Sequence, residues 1–178
     1  LTVPAGGFTN HNRIKLSGPL AKITGADPLA LTGPLSGEGS IEAPLAVLAG
    51  GSVAVGAGQE LAFTQTVTNA PGGQINGING ILDFNGGLNN LGALNLINST
   101  VNGNVTNNCT VSRAGTNTFT GIVSGAANFS GAGTAHFSGA YSPGNSPAAV
   151  SFNGNVAFSP AATLHLELGG TQAATQFD

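Results

Sequence analysis

The fold is decided by residues 116–178, which read TNTFTGIVSGAANFSGAGTAHFSGAYSPGNSPAAVSFNGNVAFSPAATLHLELGGTQAATQFD. Apolar and polar residues alternate in this stretch, and Gly, Asn or Ser interrupts each alternation after a few residues. Alternation with a period of two is typical of strands that bury one face, and the interruptions are typical of turns. The stretch therefore predicts many very short strands separated by tight corners.

A regular repeat connects the apolar positions of the chain. In one column of apolar residues, Val101, Phe119 and Phe137 are separated by the same number of residues along the sequence. Val156 continues this column with a separation that is one residue longer. A second column repeats the same step between Val111 and Phe129. Such a period is typical of solenoids, in which each coil buries its apolar side chains against neighbouring coils. The sequence therefore predicts an all-β fold, a right-handed parallel β-helix (β-solenoid) with coils of roughly 18–20 residues.

The whole chain, residues 1–178, is predicted to form a single β-solenoid domain. Residues 51–178 supply the regular coils, whereas residues 1–50 contain three of the four basic residues and are predicted to be an atypical capping or assembly end. This first segment also contains Pro-Leu pairs at residues 19–20, 28–29, 34–35 and 44–45. Because proline cannot donate a ladder hydrogen bond, it is found at strand starts and corners. Each pair is therefore predicted to open a short strand.

Residues 75–97 contain an apolar residue at almost every third position. This spacing is compatible with one face of a helix or with three-residue strands separated by single-residue corners. The segment also contains Gly77, Gly80, Gly86, Gly87 and Gly92. Each of these glycines would cost about 1 kcal/mol in a helix. The segment is therefore predicted to form strands.

The composition indicates a folded chain with an uncharged surface, since 40% of the 178 residues are hydrophobic and only 6% are charged. Four Lys and Arg residues in a chain of net charge −3 do not form the basic patch that nucleic-acid binding requires. No apolar run reaches the length of about 20 residues that spans a bilayer, so no membrane span is predicted. A surface of Asn, Ser, Thr and Gly suits packing against copies of the same chain, and we expect self-association into a filament or fibre.

Cys109 is the one cysteine and forms no disulfide within the chain. It follows two asparagines in a strand-like run and is interpreted as a buried small hydrophobic residue. An intermolecular bridge is the alternative.

The ionisable residues do not form the pattern of a catalytic or metal site. β-Helix enzymes that act on polysaccharides need clustered carboxylates, whereas the seven acidic residues here are scattered. Asp83 and Glu167 alternate with apolar neighbours, as outward residues of strands do. His11, His136 and His165 lack the spacing of zinc ligands. The chain is therefore predicted not to be an enzyme and to bind no metal or cofactor.

The corner SPGNSP at residues 142–147 is interpreted as a rigid turn. His136, Tyr141 and Asn145 lie on or beside it and form the candidate binding patch. Four asparagines begin Asn-x-Ser/Thr sequences, which the Asn and Thr content explains without glycosylation: Asn98, Asn104, Asn108 and Asn128.

The last sixty or so residues resemble a known family. Its recurring elements stand here as SPGNSP at residues 142–147, NGN at 153–155, LHLELGGT at 164–171 and QFD at 176–178. This pattern is similar to the repeat regions of bacterial autotransporter-associated and PEP-CTERM-type surface proteins. The resemblance implies an exported right-handed parallel β-helix on the bacterial cell surface or in the extracellular matrix, and it brings no catalytic residues.

These observations predict an exported structural protein, a rigid extracellular β-solenoid that serves as a rod or filament subunit of the cell surface or biofilm matrix and polymerises head-to-tail. The alternative is an adhesin-type binding module that contacts glycans or the surfaces of host or neighbouring cells. An exposed aromatic or polar patch that interrupts the regular coil would favour the alternative.

Overall fold

Short strands stack in parallel along one axis in the computed structural model, which describes residues 1–144, 148–167 and 172. These residues wind into a β-solenoid of about eight turns with coils of about 19 residues. They form the strands β1 (Phe8–Asn10), β2 (Ile14–Thr24), β3 (Leu29–Leu31), β4 (Pro34–Glu42), β5 (Leu45–Val47), β6 (Ser52–Val55), β7 (Glu60–Phe63), β8 (Val67–Asn69), β9 (Gln74–Ile78), β10 (Ile81–Asn90), β11 (Ala93–Ile97), β12 (Thr100–Asn107), β13 (Val111–Ala114), β14 (Thr116–Phe119), β15 (Val123–Gly125), β16 (Phe129–Ser130), β17 (Thr134–Phe137), β18 (Ala140–Pro143), β19 (Asn155–Phe158) and β20 (Thr163–Leu164). The predicted parallel β-solenoid is confirmed. Its right-handed sense stays a prediction, in line with the usual hand of parallel connections.

Each coil passes through three sheet faces in turn. Face 1 contains β1, β3, β5, β8, the second halves of β10 and β12, and then β15, β18 and β20. Face 2 contains the first halves of β2 and β4, then β6, β9, β11, β13 and β16. Face 3 contains the second halves of β2 and β4, then β7, the first halves of β10 and β12, β14, β17 and β19. The strands β1 to β5, within residues 1–50, thus belong to the same three faces as the later coils.

The longest strands turn corners and contribute to two faces each. In β10, residues 81–84 pair with β7 and residues 88–90 pair with β8. The corresponding corner of β12 is at Gly103, whose φ is 83°. A Cβ at this position would overlap the carbonyl oxygen of Phe84 in the previous coil. The corner therefore requires a glycine, because only glycine combines this backbone angle with such a close approach.

Three of the Pro-Leu pairs open strands, as predicted: β3 begins at Leu29, β4 at Pro34 and β5 at Leu45. The prediction for Pro19-Leu20 is wrong, because this pair lies inside β2. Residues 17 and 22 of β2 pair with residues 38 and 40 of the next coil. Residues 18–21 therefore exceed the length of the facing strand and loop out of the ladder. Leu20 is 93% exposed on this excursion, which we call the 18–21 bulge.

Apolar side chains from the three faces fill the interior in columns. The face 1 column consists of Phe8, Leu29, Leu45, Val67, Leu88, Val105, Val123, Tyr141 and Leu164. On face 3, Phe119, Phe137 and Phe158 are in register, and the ring centroids of successive members lie 5.4 Å apart in stacked geometry. Burying one such side chain stabilises the fold by roughly 1.5–3 kcal/mol, so each coil depends on its neighbours for stability.

The predicted constant step is confirmed for Val101 to Phe119, for Phe119 to Phe137 and for Val111 to Phe129, since each pair is in register on neighbouring coils. The continuation of the first column to Val156 is wrong. Val156 pairs with Ala135, and Phe158 takes the position next to Phe137, so the coil there is longer than the two before it. Coil length also varies along face 1, where it is shortest between Leu29 and Leu45 and longest between Tyr141 and Leu164.

Residues 75–97 form strands, as predicted, but the expected three-residue strands are wrong. Most of these residues lie in β9, β10 and β11, which are five to ten residues long, and residues 79–80 and 91–92 form the bends between them. Strand alternation places every second residue inside, and only part of the three-apart series shares that parity. Ile78, Leu91 and Ile97 belong to the series but are exposed.

Cys109 lies in a bend between β12 and β13 and is half-buried. The prediction of a buried residue in a strand is therefore wrong, because residues 108–110 turn a corner instead of continuing β12. Within the described ranges, no helix is long and apolar enough to cross a membrane.

Candidate functional site

The core opens into an apolar groove of about 280 Å³ at its C-terminal end. This C-terminal groove is lined by Tyr141, Phe152, Val156, Phe158, Leu164 and Leu166, among others. Phe158 is 42% exposed and Leu164 is 46% exposed. Their partners in the previous coil, Phe137 and Tyr141, are buried. The groove therefore lies over the last described members of the core columns.

A second apolar groove, of about 300 Å³, lies at the opposite end. This N-terminal groove is lined by Leu1, Thr2, Val3, Pro4, Phe8 and Leu29. Phe8 is 46% exposed, whereas Leu29, its partner in the next coil, is fully buried. The face 1 column thus runs from one groove to the other, and no other strand among residues 1–144, 148–167 and 172 packs on either end of it.

The backbone is also unpaired at both ends of the described chain. Among the described residues, β1 pairs only with β3, β19 only with β17, and β20 only with β18. The outer edges of these three strands present N–H and C=O groups that another parallel strand can satisfy.

Charge is distributed unevenly along the axis. Residues 84–166 contain only one Lys, Arg, Asp or Glu, namely Arg113, and Arg113 is buried. The outer surface of the described coils in this stretch therefore carries none of these four residue types. Exposed charges are a common device against unwanted strand association, and this half of the solenoid does without them.

Arg113 lies inside the solenoid and is 3% exposed. It belongs to β13, where alternation after the inward Val111 turns its side chain inward as well. Its Nη2 donates to the carbonyl oxygen of Asn153 at 2.7 Å, and its Nη1 donates to that of Gly133. The guanidinium carbon lies 5.8 Å from the centroid of the Phe129 ring. Arg113 therefore joins three coils near the C-terminal groove.

Burial lowers the pKa of the Arg113 guanidinium, because desolvation disfavours the cation. Its Nε has no hydrogen-bond partner among the described residues. The side chain is held by backbone carbonyls and by a cation–π contact, which are favourable when desolvated. This arrangement is suited to fixing the last coils rather than to transferring a proton, since an arginine stays protonated in proteins.

A ladder of asparagines runs inside the solenoid at the end of face 1 strands. Asn69 donates from Nδ2 to Oδ1 of Asn90 at 2.7 Å, and Asn90 donates in the same way to Asn107 at 2.6 Å. All three side chains are buried. Among the described residues, Oδ1 of Asn69 and Nδ2 of Asn107 have no partner, so the ladder is satisfied internally and open at its two ends.

A second set of asparagines closes the corners of the solenoid. The backbone N–H of Thr116 donates to Oδ1 of Asn98 at 3.0 Å, and that of Ile122 donates to Oδ1 of Asn104 at 2.9 Å. The same kind of contact joins the N–H of Ala126 to Asn108 at 3.3 Å, and Asn128 accepts from Ser151 at 2.8 Å. The four asparagines of the Asn-x-Ser/Thr sequences therefore have a structural role: each satisfies a corner N–H of the next coil.

The candidate binding patch is not brought together by the described residues. Tyr141 faces the core, stacks on Phe137 at 4.6 Å and is 4% exposed, so the expectation of an exposed aromatic at this position is wrong. It shares strand parity with the buried Val123 of the previous coil. Asn145 lies outside the described residues.

His136 points outward from β17 and is half-buried. Its Nε2 is hydrogen-bonded to Oγ of Ser159 at 3.0 Å, and Ser159 also donates to Ser138 at 3.3 Å. Phe8 and Phe158 are the aromatic residues among the exposed large hydrophobic side chains of the described chain, and both belong to the ends of the core. The adhesin alternative therefore gains no exposed aromatic beside His136.

Five of the seven acidic residues are spread over the early coils, and the other two, Glu167 and Asp178, come late in the chain. Asp83 is half-buried in β10 between buried neighbours, as the alternation predicts, and Glu167 is exposed just beyond β20. Lys22 and Glu42 form an ion pair at 3.5 Å, which is worth little at an exposed position. The residues that the structure describes contain no group of three or more His, Cys, Asp or Glu side chains that could hold a metal.

No protein-family model, curated protein or solved structure matches the chain. The resemblance of its last sixty residues to bacterial surface-protein repeats therefore stays a prediction.

The sequence predictions missed both Arg113 and the buried ladder of Asn69, Asn90 and Asn107. Strand parity was the available signal. Each ladder asparagine follows an inward Val or Leu by two residues, in the sequences VTN, LNN and VTN, and Arg113 follows Val111 by two residues. Because polar residues are usually exposed, residue type alone predicts these four side chains on the surface, although their strand parity turns them inward.

Proposed function

We propose that this protein is a structural element, a stiff β-solenoid rod. Its function depends on its length and on its resistance to proteolysis, and not on catalysis. The observation that carries the proposal is the parallel ladder of face 1, which continues from Phe8 to Leu164. The core columns, the asparagine ladder and the corner asparagines all run along the same axis. Repeated contacts of this kind make neighbouring coils mutually dependent and support a rigid rod.

We place the rod outside the cell, at the surface or in the extracellular matrix of a bacterium. This part of the proposal rests on the resemblance of residues 116–178 to surface-protein repeats. The uncharged surface of residues 84–166 suits a matrix in which rods pack closely, because it carries little electrostatic repulsion.

Two measurements test the proposal. Graded digestion of the purified chain with proteinase K should leave a large resistant fragment under native conditions, because the backbone is held in ladders. An antibody against the solenoid should label intact cells of the source organism without permeabilisation. Complete digestion at low protease, or labelling only after permeabilisation, would overturn the structural or the extracellular part respectively.

A further inference from the structure

We propose that the 18–21 bulge is a site of limited proteolysis, at which an endopeptidase with an apolar specificity pocket hydrolyses the bond between Leu20 and Ala21. After the cut, residues 1–20 stay bound to the rest of the solenoid. This inference goes beyond the proposed structural function and does not depend on it.

The side chain and the backbone that a protease must reach are both accessible in the bulge. Leu20 is 93% exposed, the largest value among the exposed large apolar side chains of the described chain. Residues 18–21 have no partner in the register of β2 with β4, which passes from Ser17 directly to Lys22. A Cβ added at Gly18 would meet no atom within 4 Å. Exposed chain of this kind is where proteolytic nicks concentrate.

The local sequence suits the cleft of an endopeptidase, which binds its substrate as an extended chain. Pro19 has its φ fixed by the pyrrolidine ring in a range compatible with an extended chain. Pro19 also lines a hollow of about 190 Å³ together with Glu38 and Ser40, among others, so open space lies between the bulge and the wall of face 3. Leu20 follows with an apolar side chain, which the hydrophobic slot of chymotrypsin-like enzymes accepts.

Other exposed apolar residues at the corners between residues 78 and 122 are less accessible. Their side chains are only 39–49% exposed: Ile78, Leu91, Ile97 and Ile122. Ile78 and Ile97 pair with each other in the ladder. The N–H of Leu91 donates to the carbonyl oxygen of Asn69 at 2.8 Å, and the carbonyl oxygen of Ile122 accepts from Val105 at 2.8 Å. A protease would have to break these bonds, whereas the backbone of the bulge is already outside the ladder.

Residues 1–20 are held by contacts that the cut leaves intact. Strand β1 pairs with β3, and the first half of β2 pairs with the first half of β4. The N–H of Val3 donates to the carbonyl oxygen of Thr24 at 2.7 Å. The side chains of Val3 and Leu16 are buried in the core. The nick therefore divides the chain without dividing the solenoid.

The cut adds one water molecule across the peptide bond. The carbonyl carbon of Leu20 takes the water oxygen and becomes a carboxylate. The nitrogen of Ala21 takes both water protons and becomes an ammonium group. The carboxylate forms on the exposed Leu20, where water solvates it, so the core is not disturbed.

The experiment is limited digestion of the purified 178-residue chain with a trace of chymotrypsin, followed by intact mass spectrometry and size-exclusion chromatography. We expect the first cut between residues 1 and 144 to separate residue 20 from residue 21. The two fragments should elute together in native buffer and apart in denaturing urea. The rate of this cut should stay constant at low urea, since a locally open site does not require global unfolding.

Two variants test the role of the leucine. Leu20→Asp should slow this cut about tenfold or more, because a carboxylate is unfavourable in an apolar specificity pocket. Leu91→Asp, at an exposed corner between β10 and β11, is the matched control and should be cut after Leu20 at the parent's rate. Circular dichroism and the melting temperature establish that both variants are folded.

An intact bond between Leu20 and Ala21, while other bonds between residues 1 and 144 are cut, would overturn the inference. Equal rates for the parent and Leu20→Asp would overturn it as well. Release of residues 1–20 in native buffer would refute their retention. Rapid further digestion of residues 21–178 would count against the proposed structural function and would leave the cleavage site standing.

Discussion

Asn90 donates a hydrogen bond of 2.6 Å to Asn107 inside the solenoid, where both side chains are buried. Buried amides in an apolar interior are stable only when their hydrogen bonds are made. Asn90 is the central member of the ladder, because it also accepts from Asn69 at 2.7 Å. The ladder therefore fixes the register of three successive coils, since a slip by one residue would turn every asparagine outward.

We expect Asn90→Ala to lower the free energy of unfolding by about 2–3 kcal/mol, because it removes two hydrogen bonds and leaves Oδ1 of Asn107 unpartnered. Asn95→Ala is the matched control. Asn95 donates to Asn76 at 2.9 Å, but on the outer, half-buried side of face 2. Its loss should cost less than about 1 kcal/mol. Urea unfolding followed by circular dichroism measures both, and equal values for the two variants would contradict a special role of the inner ladder.

Arg113 offers a second test, because its forked guanidinium reaches two carbonyl groups at once. Arg113→Lys should destabilise the protein by about 2–4 kcal/mol, since an ammonium cannot reproduce the fork and remains a buried cation. Arg113→Met removes the charge and should be less damaging than Arg113→Lys. Amide hydrogen exchange should report the loss between residues 129 and 158. Wild-type protection there in Arg113→Lys would show that the fork is unnecessary.

The corner asparagines predict that substitutions at Asn98 and Asn104 lower the free energy of unfolding by different amounts. Asn98 has a φ of 47°, so Asn98→Ala loses the bond to Thr116 and adds backbone strain, about 2 kcal/mol together. Asn98→Gly loses only the bond and should cost about 1 kcal/mol. Asn104→Ala should resemble Asn98→Gly, because the contact with Ile122 is lost at a corner where strain does not arise. Thermal and urea unfolding rank the three variants, and a harmless Asn98→Ala would refute the corner role.

The phenylalanine column on face 3 predicts that the loss of unfolding free energy caused by a Phe→Ala substitution depends on where the residue lies along the solenoid axis. Phe137 is covered by Phe119 on one side and by Phe158 on the other, so Phe137→Ala should cost about 3–5 kcal/mol. Phe158 is stacked on Phe137 but partly exposed, and Phe158→Ala should cost about half as much. Urea unfolding at low protein concentration gives the comparison. The reverse order would contradict the difference in burial between the two rings.

Much of this architecture is accessible from residue patterns. The constant step from Val101 through Phe119 to Phe137 reflects coils of equal length, and the glycines and asparagines between them mark real corners. The step fails at Val156 because the next coil is longer, and Phe158 shares the position of Phe137. A fixed period cannot anticipate where a coil takes up extra residues in its corners.

The candidate site is less accessible. Tyr141 is expected outside because it stands beside a proline-rich corner, yet its parity follows the buried Val123 of the coil before. The grooves at the ends have no local signature, since Phe8 and Phe158 look like any other core residue in the sequence. Whether such a residue is exposed depends on whether another coil packs on it, and the local sequence does not show this.

The 18–21 bulge has a practical consequence. Residues 17 and 22 stay in register with residues 38 and 40 although the chain between them leaves the ladder, and Leu20 stands almost fully in solvent. The wall of the rod thus tolerates additional chain at this point. A foreign epitope grafted between Pro19 and Leu20 would therefore project sideways from the solenoid while the coils on either side keep their register.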